Sequence, residues 1–394
     1  MKDLFDKCDR YTMANEFKAM GLFPYFRPLD SRQDTEVIME GRRRIMLGSN
    51  NYLGLTVNPR VMRSEMDAVE AYGTGCSGSR FLNGTLQLHL EFEKALKDFL
   101  GQEDILTFGT GFQANLGAIS CIAGKGDYII CDRENHASIY DGCRLSYAKM
   151  LRYKHADMAH LERLLQEVPE ESGCLIVTDG VFSMGDDIAK LPDIVTLARK
   201  YGAKVMVDDA HALGVLGKGG RGTASHFGLE SEVDMTVGTF SKSLASLGGF
   251  VAGSHRAIDY IRHNSRPYIF SASMPPANVA AAHAALNELI AHPELVEQLQ
   301  HISAYMREKL LGRNVKIIVS QTPIIPIYTY EPLPTLQISS ELFQEGVYVN
   351  STLPPACAPH ECLLRCSLMA SHTEALVDEA VDILCAVLKR HELC

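Results

Sequence analysis

Between residues 104 and 237, short apolar runs recur, each ending in a cluster of glycines, hydroxyls or acids. Asp104–Phe108, Tyr128–Cys131, Cys174–Thr178, Lys204–Val207 and Met235–Val237 have the length and bounded apolar character of buried strands. Helical patterns lie between them: one opens at Gln113, one at His136-Ala137-Ser138, and one covers Leu191–Tyr201. Strands alternating with helices predict a mostly parallel sheet covered on both faces. Ligands bind such sheets at the carboxyl ends of the strands, so the polar clusters are expected to converge on one rim.

The pattern changes on either side. Residues 1 to about 30 read as an arm, with Phe17, Met20, Leu22 and Phe23 on an apolar side and Pro24 and Pro28 breaking any helix. Glu36–Met46 holds two apolar runs around Gly41, which predicts a hairpin, and a helix over Pro59–Tyr72 follows. Beyond Pro275-Pro276, helices at Asn278–Ala291, Leu295–Leu311 and Glu374–Lys389 mix with strands at Lys316–Val319, Ile324–Tyr328 and Leu363–Cys366. The expected division is an arm and hairpin over 1–48, a large domain over 49–276 and a small α+β domain over 277–394.

A chain of 394 residues suits two domains, and 46% hydrophobic with 22% charged residues is ordinary globular composition. The net charge of -10 argues against a nucleic-acid partner. Arg42-Arg43-Arg44 is the only basic run and reads as a solvated hairpin face. Eleven cysteines lack paired spacing, no secretory signal stands at the start, and no apolar run is long enough to span a bilayer. The expectation is a cytoplasmic protein with reduced thiols. Cys357, Cys362 and Cys366 have gaps wrong for a zinc knuckle, and no metal is expected.

The candidate chemistry centres on Lys242, which follows Thr239-Phe240-Ser241 and lies between apolar runs. Burial away from a carboxylate disfavours the ammonium form, and a neutral amine is what imine formation requires. A solvated lysine in a turn is the alternative. Gly109-Thr110-Gly111-Phe112 presents backbone N–H groups at a helix N-terminus, which suits a phosphate, with hydroxyls from Thr239 and Ser241. Turn chemistry alone would give the same glycines. Asp208 ends an apolar strand and needs a cation, such as a protonated pyridine nitrogen, while His211 suits a phenolic oxygen. Asp208, Asp209 and His211 are all possible metal ligands, but with few other ligand clusters in the chain a metal is the lesser reading. His136 can stack on a flat ring or be incidental beside an Asn135 cap, and the same holds for Ser183. Arg365, inside an apolar strand, calls for a carboxylate, from a substrate or from an internal salt bridge. Gly73, Gly75 and Gly78 match the dinucleotide spacing G-x-G-x-x-G, but they follow a helix rather than a strand. They read as a flexible loop at a site.

These segments together make the chain resemble the fold type I pyridoxal-phosphate enzymes, and within them the α-oxoamine synthases. The likeness rests on Asn50 to Gly54, Gly73 to Thr85, Gly109 to Asn115, Asn135 to Ser138, Asp179 to Met184, Val207 to Gly214, Thr239 to Lys242 and Leu364 to Ser367. Phe26-Arg27-Pro28, Gly78 to Thr85 and Gly238 to Gly253 are most similar to the bacterial members that condense L-serine with palmitoyl-CoA.

The resemblance implies an aminotransferase-like α/β fold: a large domain with a mostly parallel seven-stranded sheet and a smaller α+β C-terminal domain. It implies that Lys242 holds pyridoxal 5'-phosphate and later moves the α-proton. His136 would stack on the ring and touch the substrate carboxylate, Asp208 would pair with the ring nitrogen, and His211 and Ser183 would lie near the ring hydroxyl. Gly111, Phe112, Thr239 and Ser241 would hold the phosphate, with Ser271 supplied by the second subunit of a homodimer. Asn50 and Arg365 would bind substrate oxygens. Some members carry another arginine before the Arg365 strand; Leu353-Pro354-Pro355-Ala356 has none. Tyr52, Phe81, Met274 and Leu353 are candidate walls for an acyl chain, and core packing explains each equally well. A membrane-bound product implies peripheral contact with the inner membrane face. Glycine C-acetyltransferase and 8-amino-7-oxononanoate synthase are the rivals within the class. A nicotinamide dehydrogenase rests on the glycine loop alone, and a non-catalytic scaffold would lack the lysine or the aspartate that this chain carries.

Overall fold

The computed structural model describes residues 1–185, 187–354 and 356–394. Two hairpin strands, β1 (Glu36–Met39) and β2 (Arg42–Met46), come first. The central sheet follows: β3 (Asp104–Phe108), β4 (Tyr128–Asp132), β5 (Lys149–Tyr153), β6 (Cys174–Asp179), β7 (Lys204–Asp208), β8 (Met235–Thr239) and β9 (Gly249–Gly253). Their spatial order is β3-β9-β8-β7-β6-β4-β5. The strands from β4 to β8 pair in parallel, and β9 runs antiparallel to both β3 and β8.

Strand alternation explains how the sheet is covered. In β7, Val205 and Val207 enter one core with the helices Met158–Gln166 and Leu191–Tyr201. Met206 enters the opposite core with the helices Gly111–Ile122 and Ala137–Leu145. Both faces are therefore apolar, as a buried parallel strand demands.

Two strands of this sheet lack the expected signal. β5 is an edge strand whose Lys149 and Arg152 are exposed. β9 begins and ends in glycine, which reads as turn material. The reason is proximity: a Cβ on Gly249 would sit 2.5 Å from the Gly111 Cα, and one on Gly253 would sit 2.6 Å from the Asp234 carbonyl.

The C-terminal part contributes β10 (Ile324–Tyr330), β11 (Val347–Tyr348), β12 (Asn350–Thr352) and β13 (Cys362–Ser367). β10, β13 and β12 form an antiparallel sheet, while β11 adds to the hairpin in parallel. The helices Glu294–Leu311, Pro332–Glu345 and Glu374–Arg390 pack here. The expected strand Lys316–Val319 is not one; Ile317 makes only an isolated bridge with Ile327. A continuous core joins Ile105, Phe250 and Ala252 of the central sheet to Leu286, Ile325, Leu364 and Val381.

The basic run is only partly a solvated face. Arg43 is exposed and pairs with Glu36 and Glu379, but Arg44 is buried with its guanidinium 4.4 Å from the Phe343 ring centre. Short helices at Asp6–Asp9 and Met13–Ala19 in the arm bury no residue. Among the described residues, no helix is long and apolar enough to cross a membrane.

Candidate active site

The carboxyl ends of β4, β6, β7 and β8 deliver His136, Asp179, Asp208 and Thr239 to the rim of one cavity of about 300 Å³. Gly111, Phe112, Ser183, His211, Ser241 and Lys242 line it as well. Asn50 and Arg365 line an adjoining cavity of about 410 Å³, which shares His136, Ser183, His211 and Lys242 with the first. Ser271 lines neither; its hydroxyl accepts a hydrogen bond from Gln113 at 3.3 Å.

At one end, the helix Gly111–Ile122 points its N-terminus into the cavity, capped by Thr110, which accepts the Gln113 N–H at 3.1 Å. Thr239 Oγ1 donates to the Gly248 carbonyl and lies 3.0 Å from Ser241 Oγ. A Cβ on Gly111 would meet the Thr239 Cβ at 2.8 Å, so glycine lets the helix end and the hydroxyl loop approach. Backbone N–H groups, the positive end of a helix and two hydroxyls together suit an anion.

Asp208 sits at the other end, 4% exposed. It accepts from Asn115 Nδ2 at 2.6 Å and from the Ala210 N–H at 2.9 Å. No cation pairs with it among the described residues, so its charge is held by dipoles. Asn115 Oδ1 is buried without a partner beside it. Asp179, next to Asp208, accepts the His136 backbone N–H at 2.8 Å. Burial and the Asp208 charge hold its carboxyl well above the usual range. Asp209 faces away and takes the Thr223 N–H at 2.9 Å, so Asp208, Asp209 and His211 do not share a metal site.

Lys242 is pushed down to about 8 by burial, against the pull of Asp208 and Asp179. Burial also lowers His136, whose Nδ1 is fixed 2.7 Å from Ser138 Oγ. His211 lies well below its ordinary value through burial and the nearby Lys242 and Arg365 charges. Its Nδ1 meets Tyr52 Oη at 2.7 Å. Both imidazoles are neutral near pH 7.

Arg365 is 4% exposed. Nε donates to the Ser183 carbonyl at 2.7 Å, Nη1 to Ser367 Oγ at 2.8 Å and Nη2 to Tyr52 Oη at 3.3 Å. Each of these partners is neutral, and no acid among the described residues forms a salt bridge with Arg365. A buried guanidinium without an acid attracts an anionic ligand.

Asn115, Ser138 and Asp179 have no role in the sequence reading, and Tyr52 appears there only as an acyl wall, whereas its hydroxyl meets His211 and Arg365. The signal for Asn115 was present: a polar residue inside the apolar helix Gly111–Ile122 must find a buried partner. None of the four proposed acyl-wall residues lines either cavity. Tyr52 and Met274 are core, and Phe81 is exposed. Pro355, beside Leu353, lies outside the described residues. No residue of the Gly73–Thr85 loop lines the two cavities, and its Gly78 carbonyl ties it to Ser273 instead.

The family model for class I and II aminotransferases matches residues 42–384. A serine palmitoyltransferase of Sphingobacterium spiritivorum is 49% identical over 99% of this chain and 98% of its own. An 8-amino-7-oxononanoate synthase of Thermoanaerobacter pseudethanolicus is 43% identical over 93% of each chain. Among solved structures, a serine palmitoyltransferase of S. paucimobilis with a bound PLP–myriocin aldimine superposes with a TM-score of 0.97, at 36% identity over 100% of both chains.

Proposed function

The chain belongs to the class I and II aminotransferase family, and on that premise we propose that it is a pyridoxal-phosphate-dependent serine palmitoyltransferase. It condenses L-serine with palmitoyl-CoA to 3-oxosphinganine, releasing coenzyme A and carbon dioxide. The full-length identity to curated serine palmitoyltransferases carries the reading. The site supports it: a lysine with a depressed value and a buried arginine that pairs with no acid among the described residues open onto adjoining cavities.

The residues present fit pyridoxal phosphate. A helix N-terminus with two hydroxyls stands opposite a buried carboxylate that lacks a cation, across a cavity of about 300 Å³. Gly111, Phe112, Thr239 and Ser241 would hold the phosphate, Asp208 the ring nitrogen, His211 and Ser183 the ring hydroxyl, and Lys242 the aldehyde carbon. When bound, the cofactor supplies an electron sink for the bonds broken at the substrate α-carbon.

The chain supplies the rest. Asn115 and the Ala210 N–H fix the Asp208 carboxylate in place, where it would meet the ring nitrogen. Arg365 receives the serine carboxylate, with Asn50 and His136 at the edge of the same cavity. Lys242, with a value of about 8, has a usable free-amine fraction near neutral pH and carries the α-proton away and back. Tyr52 bridges His211 and Arg365 and so fixes one end of the site relative to the other.

The reading includes a homodimer in which Ser271 of a second copy completes the phosphate site. In support, Ser271 does not line the cavity of its own chain. It also includes peripheral contact of the cytoplasmic enzyme with the inner membrane face, where the product partitions.

The test is product identification by mass spectrometry, with isotopically labelled serine and acyl-CoA of graded chain length. Labelled 3-oxosphinganine is the expected product. Turnover of glycine with acetyl-CoA, or of alanine with pimeloyl thioester, in place of serine with palmitoyl-CoA would overturn it.

A further inference from the structure

Beside the lysine cavities lies a third, of about 460 Å³, lined by Arg133, Arg152 and Lys154, with Glu134 the one acid among the described residues that line it. It stands at the carboxyl end of β4 and β5, the edge of the central sheet. The two strands run in parallel register, Cys131 beside Arg152, and the Arg133 N–H continues the ladder to the Tyr153 carbonyl at 3.1 Å. Alternation sends Tyr153 into the core and leaves Arg152 and Lys154 together on the other face.

These cations differ from those at the other end of the same layer, on β7 and the helix Leu191–Tyr201. Arg199, Lys200 and Lys204 each pair with a carboxylate. Arg152 and Lys154 pair with none among the described residues, and Arg133 has only Glu134, at 3.5 Å. The nearest buried acid, Asp132, is already satisfied: it accepts from the Glu134 and Ala156 N–H groups and bonds His155 at 2.9 Å. In a chain of net charge -10, an uncompensated cationic hollow is the exception.

The hollow also borders the site. Ala356 lines both it and the cavity that holds Lys242 and Arg365. Cys357 lines it together with a further cavity of about 240 Å³ that contains Ser183 and Met184. A ligand whose reactive end lies near Lys242 can therefore place a charged tail here.

We propose that Arg133, Arg152 and Lys154 bind the phosphorylated nucleotide end of coenzyme A, holding its diphosphate and 3'-phosphate while the thioester arm runs past Ala356 toward Lys242. This rests on the acyl-CoA reading above. Clustered guanidinium and ammonium groups suit phosphate oxygens, and binding of this kind weakens with salt.

The test is calorimetric titration of the holoenzyme with free coenzyme A and with 3'-dephospho-coenzyme A, for wild type and for the double variant Arg152→Gln, Lys154→Gln. Both positions are exposed, so the fold is retained; the absorbance change on adding serine checks this. The expected result is affinity for coenzyme A lowered about tenfold or more in the variant. Weaker binding of the dephospho form to wild type, and loss of most of the salt dependence in the variant, are expected with it. Equal affinity of variant and wild type, or no binding to wild type at millimolar coenzyme A, would overturn the site. Charge-dependent binding without turnover of palmitoyl-CoA and serine would support the site while sinking the condensation reading. Competition by S-palmitoyl-pantetheine that is unchanged in the variant would place the lost contact at the nucleotide rather than the arm.

Discussion

Asn115 gives one amide hydrogen to Asp208 at 2.6 Å and the other to Ser138 at 2.9 Å, tying the helix that follows β3 to the end of β7. The bond to Asp208 is charge-assisted, and such bonds are worth about 1.5–3 kcal/mol. Asn115→Ala is expected to lower retention of pyridoxal phosphate by roughly tenfold or more, measured by cofactor titration of the apoprotein. Unchanged affinity would show that Asp208 holds its position without the Asn115 amide.

The lowered Lys242 value gives a pH signature. Capture of the aldehyde requires the free amine, so the rate at which apoprotein binds pyridoxal phosphate should rise through a midpoint of about 8. Stability carries the same sign. Between about 8 and the ordinary lysine value of 10.5, the unfolded chain holds the extra proton, so the Lys242 contribution improves as pH rises across that window. Lys242→Met should remove that increment from the apoprotein's pH–stability curve and abolish the visible band of the bound cofactor.

The carboxylate role proposed for Arg365 predicts unequal effects on the two substrates. Arg365→Lys keeps a positive charge but loses the Nε bond to the Ser183 carbonyl and bidentate capture of a carboxylate. The KM for serine should rise on the order of a hundredfold while the KM for palmitoyl-CoA changes far less. Steady-state kinetics with each substrate varied in turn decides it; a rise confined to palmitoyl-CoA would move the carboxylate site elsewhere.

Gly249→Ala tests the close approach of β9 to the helix N-terminus. The added methyl would meet the Gly111 Cα at 2.5 Å and its nitrogen at 2.7 Å, both backbone atoms. Overpacking of this kind costs about 1–3 kcal/mol, and the displaced helix end should also weaken the cofactor. Thermal unfolding with and without pyridoxal phosphate measures both, and a variant stabilised by the cofactor as much as wild type contradicts the placement of the phosphate.

Outside both cavities, Arg80 and Glu93 form a buried two-pronged pair at 2.7 and 2.9 Å, and Glu93 also accepts from the Thr107 backbone and hydroxyl. Glu93→Ala strands the guanidinium without its partner and should cost about 3–5 kcal/mol in urea denaturation. A loss below about 1 kcal/mol would mean water reaches Arg80.

What could be read from the chain follows the range of the forces involved. The Val205-Met206-Val207 run is a local signal, and so are the polar residues at its end; β7 and Asp208 were therefore legible. β9 was not, because its glycines answer to Gly111 and Asp234, which lie far away in sequence. The same holds for partners. Asn115 and Asp208 are 93 residues apart, and Tyr52 and His211 are 159 apart, so no local window joins them. Lys316–Val319 failed in the opposite sense: its apolar pattern suits a strand, but it forms only the single bridge at Ile317.

The reversal of direction between β8 and β9 has a mechanical consequence for Lys242. The Phe240 N–H bonds the Gly248 carbonyl, the Ser246 N–H bonds the Phe240 carbonyl, and Ser243 Oγ is moored to Leu213. The lysine thus rides on a short loop clamped at both roots, not at the tip of a free lid. In the role proposed for Lys242, its four-carbon stem would move while the mooring keeps the backbone beneath it in the same place.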